Sequence, residues 1–115
     1  MPTKRILSLQ DNSDLSNYFF CLARKISNRR RQLGLSQKEL AHRTGISCGY
    51  LGKLESGVGL EGMSFQVLYT ISTQIHMPIH HLVYINNLDK ACAKSYLRKR
   101  ILMANRNWIK YAPRP

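Results

Sequence analysis

The sequence predicts an all-α fold, a domain of five helices followed by an added, basic C-terminal helix. Three observations carry this. Two helix starts stand eleven residues apart, at Ser36 and Ser47, separated by the stop Thr44-Gly45. Around them apolar residues recur three and four positions apart, the spacing that gathers them on one side of a helix. Finally, 18 Lys and Arg against 6 Asp and Glu give a net charge of +12 in a chain whose 43% hydrophobic content is that of a globular protein.

Taken in order, residues 1–12 read as a loose arm. Ser13 or Asp14 is placed to cap a first helix running to Gln32, with Leu15, Tyr18, Phe19, Leu22, Ile26 and Leu33 at helical spacing and an arginine-rich distal end. A second helix, 37–43, starts from a capping box in which the Ser36 hydroxyl accepts from the Glu39 amide and the Glu39 carboxylate reaches back to the Ser36 amide. Gly45 ends it, because glycine enters the left-handed conformation without a Cβ clash. The third helix, 48–55, is capped by Ser47 and turns Leu51 and Leu54 inward, while Cys48, Gly49, Gly52 and Lys53 fall on other faces. Ala41 is small where the second and third helices cross, which lets their backbones approach.

Residues 56–63, with Gly57, Gly59 and Gly62, read as a loop. A fourth helix follows at 65–75 on Phe65, Leu68, Ile71 and Ile75, and a fifth at 79–84 with Pro78 at its entry and Leu82 inward. A sixth runs from Leu88 to Asn105, its stripe Ala93, Leu97, Ile101 and Ala104 extending toward Trp108 before Pro113 and Pro115. The predicted organisation is therefore an arm (1–12), a helical domain (13–86) and a basic helix and tail (87–115). Residues 1–15 are neutral, 16–86 hold eight basic and three acidic side chains, and 87–115 hold eight basic and one acidic. A run this basic is a solvated face or a phosphate-binding surface; beside two closely linked short helices the second reading is the better one.

Residues 36–57 (Ser-Gln-Lys-Glu-Leu-Ala-His-Arg-Thr-Gly-Ile-Ser-Cys-Gly-Tyr-Leu-Gly-Lys-Leu-Glu-Ser-Gly) resemble the helix-turn-helix of the Cro/cI-type (XRE) DNA-binding family, which includes phage repressors. Ile26 to Leu35 is similar to the family's first helix and following turn, and 64–83 to its fourth and fifth, so the resemblance covers residues 19–84. It implies a five-helix, lambda-repressor-like domain. In a helix-turn-helix the second helix enters the major groove with its N-terminal residues nearest the bases. Base reading is then expected of Ser47, Cys48, Gly49, Gly52 and Lys53, the last reaching either a guanine edge or a phosphate. Two glycines in so short a helix cost roughly 1 kcal/mol each against alanine, so they mark either close approach to DNA or a tolerated weak helix.

Backbone contacts are expected of Gln37, Arg29, Arg31, Lys38, Arg43, Tyr50 and Ser56. The resemblance implies that Gln37 grips a phosphate at a helix N-terminus. Tyr50 is placed either to pack at the edge or to bond a phosphate. The resemblance also implies an ion pair between Arg30 and Glu55 that orients the third helix.

The expected function is sequence-specific binding of double-stranded DNA by a bacterial, phage or plasmid transcriptional regulator, in first place a repressor acting as a homodimer on a palindromic operator. Alternatives are the antitoxin of a toxin–antitoxin pair, with a toxin or another regulatory protein as partner, and a protein- or RNA-interaction module on the same scaffold. The dimer surface is expected among Tyr84, Ile85, Leu88, Leu97, Ile101 and Trp108, unless the last helix lies along DNA. No enzyme is expected: six acidic residues, no glycine-rich phosphate loop and no nucleophile elbow leave little for catalysis. No cofactor is expected. Cys21, Cys48 and Cys92 are scattered singly and His76, His80 and His81 lack nearby cysteine or carboxylate, so neither a disulfide nor a metal site is read from them. With no membrane-length apolar run and no secretory signal, the expected location is the cytoplasm, on the nucleoid.

Overall fold

Six α-helices are present among the described residues: α1 (Asn12–Gln32), α2 (Gln37–Thr44), α3 (Cys48–Glu55), α4 (Phe65–Gln74), α5 (Ile79–Val83) and α6 (Asn87–Tyr111), with a 3-10 turn at Leu60–Gly62. The computed structural model describes residues 12–111, and side chains from 14 to 103. The arm at 1–11, the side chains of Ala104 and Trp108, and Pro113 and Pro115 lie outside the described residues. Within the described residues there is no strand. The chain divides into two compact units, Met1–Ile85 and Asn86–Pro115.

In the first unit, local chemistry sets most helix ends. Ser36 and Glu39 form the reciprocal box, with the Glu39 amide donating to Ser36 Oγ at 3.0 Å and the Ser36 amide to Glu39 Oε1 at 3.2 Å. Gly45 adopts φ 75° and the Ile46 amide returns to the Ala41 carbonyl at 3.1 Å, which satisfies an otherwise orphaned acceptor at the end of α2. Ser47 and Ser64 cap α3 and α4 by accepting from the Tyr50 and Val67 amides.

α1 packs on α3, α5 and the 3-10 turn, α2 on α3 and α4, and α4 on α5. Between them lies a core of Leu22, Ala23, Ile26, Leu40, Ala41, Leu51, Leu54, Leu60, Ile71, Ile75 and Leu82. At roughly 1.5–3 kcal/mol per fully buried aliphatic side chain, this apolar packing is what holds such short helices.

Several expectations are corrected. α1 includes Ser13 and Asp14 within its first turn, so neither is its cap. Leu15 is 49% exposed, because packing on α1 begins one turn later, where Tyr18 Oη donates to the Val83 carbonyl. Phe65 is 66% exposed: the buried stripe of α4 starts at Val67 and Leu68, and the Phe65 ring instead meets Tyr69 one turn along, centroids 6.2 Å apart. The 56–63 segment is not simply a loop, since its 3-10 turn drives Leu60 into the core.

The second unit is dominated by α6, which starts one residue earlier and ends six later than the spacing predicts. Its start is a reciprocal box: the Asp89 amide donates to Asn86 Oδ1 at 2.8 Å and the Asn86 amide to Asp89 Oδ2 at 3.0 Å. Leu97 and Ile101 of the expected apolar stripe are 46% and 53% exposed.

Candidate nucleic-acid interface

The two helices that build the candidate site are joined by only Gly45, Ile46 and Ser47. Half-buried Ile46 packs on the core and pins this turn, so α3 emerges from it at a fixed angle to α2. Leu51 and Leu54 are fully buried and anchor the inner side of α3. Ser47, Cys48, Gly49 and Lys53 are exposed, whereas Gly52 and Tyr50 are half-buried. Tyr50 packs against the core cluster. Ser56 is exposed at the far end of α3, where its hydroxyl donates to the Lys53 carbonyl at 2.7 Å.

The base of α3 is held by a buried polar network. Glu55 is 2% exposed and accepts two bonds from Arg30, Nε to Oε2 at 2.7 Å and Nη2 to Oε1 at 2.8 Å. Gln37 Nε2 adds a third at 3.0 Å. Arg30 Nη1 also donates to the Leu35 carbonyl at 2.7 Å, tying the α1–α2 turn to the same point. Burial alone would raise the Glu55 carboxyl, but the bonds from Arg30 and Gln37 and the Arg30 charge together hold it below the ordinary glutamate range. Glu39 is also held low, through its bonds with the Ser36 backbone and hydroxyl and the charge of Arg43.

The basic side chains of the first unit fall into two groups. Arg24, 4% exposed, sends Nη2 to the Glu55 carbonyl at 2.6 Å and so caps the C-terminus of α3. Lys25 Nζ reaches the His81 and Tyr84 carbonyls at 2.8 and 2.7 Å, at the end of α5. Arg29 Nε reaches the Ile75 carbonyl at 3.0 Å and its Nη2 the His76 carbonyl at 3.4 Å, at the end of α4. With Arg30, four cations of α1 thus sit where helix dipoles or a carboxylate attract positive charge. Arg31, Lys38, Arg43 and Lys53 are exposed.

Two of the residues expected at the DNA backbone have internal partners. The Arg29 guanidinium holds the end of α4. The Gln37 amide group is turned onto Glu55, and its main-chain N–H lies in the first turn of α2. Arg24 and Lys25 were not legible as structural residues, since their acceptors lie 31 to 59 positions away in sequence. Helical spacing does carry part of the signal, because Ser27 and Arg30 each follow a buried residue of α1, Ala23 and Ile26, by four.

A Cβ built on Gly49 meets nothing within 4 Å, and one on Gly52 meets only Gln37 Oε1 at 3.9 Å. Nothing among the described residues requires glycine at either place. Cys21, Cys48 and Cys92 are in no disulfide, and among the described residues no group of three His, Cys, Asp or Glu is placed to hold a metal ion. Within them, too, no helix is long and apolar enough to cross a membrane.

Residues 26–71 match the family model described as helix-turn-helix. The fold is similar to the crystal structure of the clp gene regulator ClgR from Corynebacterium glutamicum, with a TM-score of 0.56 and 18% sequence identity, covering 82% of this chain and 94% of that one. At that identity the likeness is one of fold. No curated protein matches the chain significantly in sequence.

Proposed function

We propose that residues 26–71, which match a helix-turn-helix family model within an all-α fold, are a Cro/cI-type (XRE) DNA-binding domain of lambda-repressor-like build, and that the chain is a sequence-specific, DNA-binding transcriptional regulator that represses from a palindromic operator as a homodimer. The observation that carries the reading is the presentation of α3. Its apolar side is locked into the core, its base is clamped through Glu55, and its exposed side offers Ser47, Cys48, Gly49 and Lys53. Such a rod fits the major groove, N-terminal end first. Base reading is assigned to these four residues and Gly52. Backbone contacts are assigned to the Gln37 amide, Lys38, Arg43, Arg31, Tyr50 and Ser56.

The base-reading set has one long donor, Lys53, so a single half-site gives little discrimination. A two-fold dimer doubles it, with half-sites about 34–36 Å apart. The neighbour in fold is titled a gene regulator, which agrees with the same role here. The protein acts by binding, without catalysis, in the cytoplasm on the nucleoid.

Enrichment of bound duplexes from a randomised pool, followed by fluorescence anisotropy on the winner, tests this. A dyad-symmetric consensus, bound about 10³-fold or more tighter than random duplex, is expected. A pool that yields no consensus, with no duplex retained at low salt, overturns the proposal.

A further inference from the structure

Among the described residues of the first unit, half of the eight basic side chains are committed to internal carbonyls or to Glu55, which leaves Arg31, Lys38, Arg43 and Lys53 exposed. The charge seen in the sequence therefore overstates what that unit offers a polyanion. In α6 the situation is reversed: Lys90, Lys94, Arg98, Lys99 and Arg100 are all exposed. Lys90, Lys94 and Arg98 follow one another at four-residue spacing, so they form a slowly drifting stripe about 12 Å long on one side of the helix. The Asn86–Asp89 box fixes where that helix begins, and Asp89 is its single acid between 87 and 103.

We propose that α6 is a second nucleic-acid-contacting element, whose Lys90–Lys94–Arg98 stripe binds duplex phosphates without reading sequence. The inference rests on the DNA-binding reading above and names a further surface for it. Charge complementarity selects the partner. Two copies of α6 laid side by side would set seven cations with one acid against the same again, and like charges at helix-pair spacing repel. An acidic membrane surface is the other polyanion, but a helix lying in a bilayer needs its apolar residues on one side. Leu97 and Ile101 lie close together, whereas Leu102 and Met103 are successively turned about 100° further round and Leu88 lies about opposite Leu97, so the exposed apolar residues described on α6 are spread round the helix.

The test uses the full chain and the triple variant Lys90→Gln/Lys94→Gln/Arg98→Gln, with far-UV circular dichroism confirming unchanged helix content. Affinity for a random-sequence duplex is measured against salt concentration. Removing one phosphate-binding cation lowers the slope of log affinity against log salt by about 0.9, so removing three lowers it by about 2.7. Between about 50 and 200 mM salt the wild type then weakens about 40-fold more than the variant. An unchanged slope overturns the inference, as does a fall in the variant's mass by sedimentation, which would make the stripe a self-association surface. Loss of binding to phosphatidylserine–phosphatidylcholine vesicles with the duplex slope intact overturns it too. If the wild type itself binds no duplex, it is the DNA-binding proposal that fails, and the two failures are distinct.

Discussion

Replacing Glu55 with glutamine removes one charge from the network at the base of α3 while keeping its shape. Both partners are withdrawn from water, with the Arg30 and Glu55 side chains 8% and 3% exposed, and the two-pronged contact is close at 2.7 and 2.8 Å. In Glu55→Gln, Arg30 keeps its Leu35 carbonyl but loses the carboxylate that justified its burial. Removing one partner of such a pair costs about 3–5 kcal/mol, a large share of the roughly 5–15 kcal/mol that stabilises a small domain. With about 4–8 °C lost per kcal/mol at this domain size, the melting temperature should fall by at least about 12 °C. Thermal unfolding followed by circular dichroism at neutral pH measures it.

The double variant Arg30→Met/Glu55→Leu sharpens the argument. An apolar pair of similar volume often restores stability, so its destabilisation should be well below the sum for the two single variants. The restored domain should still bind DNA more weakly, because the clamp that aims α3 is gone. A Glu55→Gln protein melting within a few degrees of wild type, or strictly additive destabilisation, would refute the reasoning. The pH dependence has a fixed sign. The Glu55 carboxyl is held lower in the folded chain than in the unfolded one, so its contribution is fully present above the ordinary glutamate value. It disappears as pH falls through that value toward the depressed one.

Three further outcomes follow from the same geometry. Gly52→Ala has room for its Cβ at 3.9 Å from Gln37 Oε1 and should stabilise α3 by about 1 kcal/mol, raising the melting temperature while weakening operator binding; unchanged binding would remove close approach as the reason for glycine. Ala41→Leu overfills the α2 packing surface, where Ala41 is 3% exposed, and should cost about 1–3 kcal/mol in chemical denaturation; a neutral result would mean that the helices do not approach closely there. Lys53→Met should weaken operator binding by about 1–3 kcal/mol and relax one base position, while a uniform weakening with a salt slope lower by about 1 would reassign it to a phosphate. Wild-type affinity and slope would return Lys53 to solvent.

The residues that end and begin helices needed nothing beyond their neighbours to be read. Ser36 with Glu39, Gly45 and Ser47 act within four positions of themselves, so their effects are written in the chain, and α3 runs over the same eight residues in sequence pattern and structure. The inward placing of Leu51 and Leu54 is likewise a consequence of helical period alone. What the exposed end of α3 presents could therefore be named before any coordinates.

The fate of the charges was decided only by packing. Arg24, Lys25, Arg29 and Arg31 read alike in an arginine-rich helix, yet the first three reach the C-terminal carbonyls of three different helices and the fourth stays exposed. Leu60 and Phe65 divide in the same way, one buried from a glycine-rich stretch and the other left outside an apolar helix. A cap or a period is a short-range relation that the order of residues fixes. Which distant carbonyl a cation meets depends on how helices far apart in the chain are brought together, and that choice is made by the core as a whole.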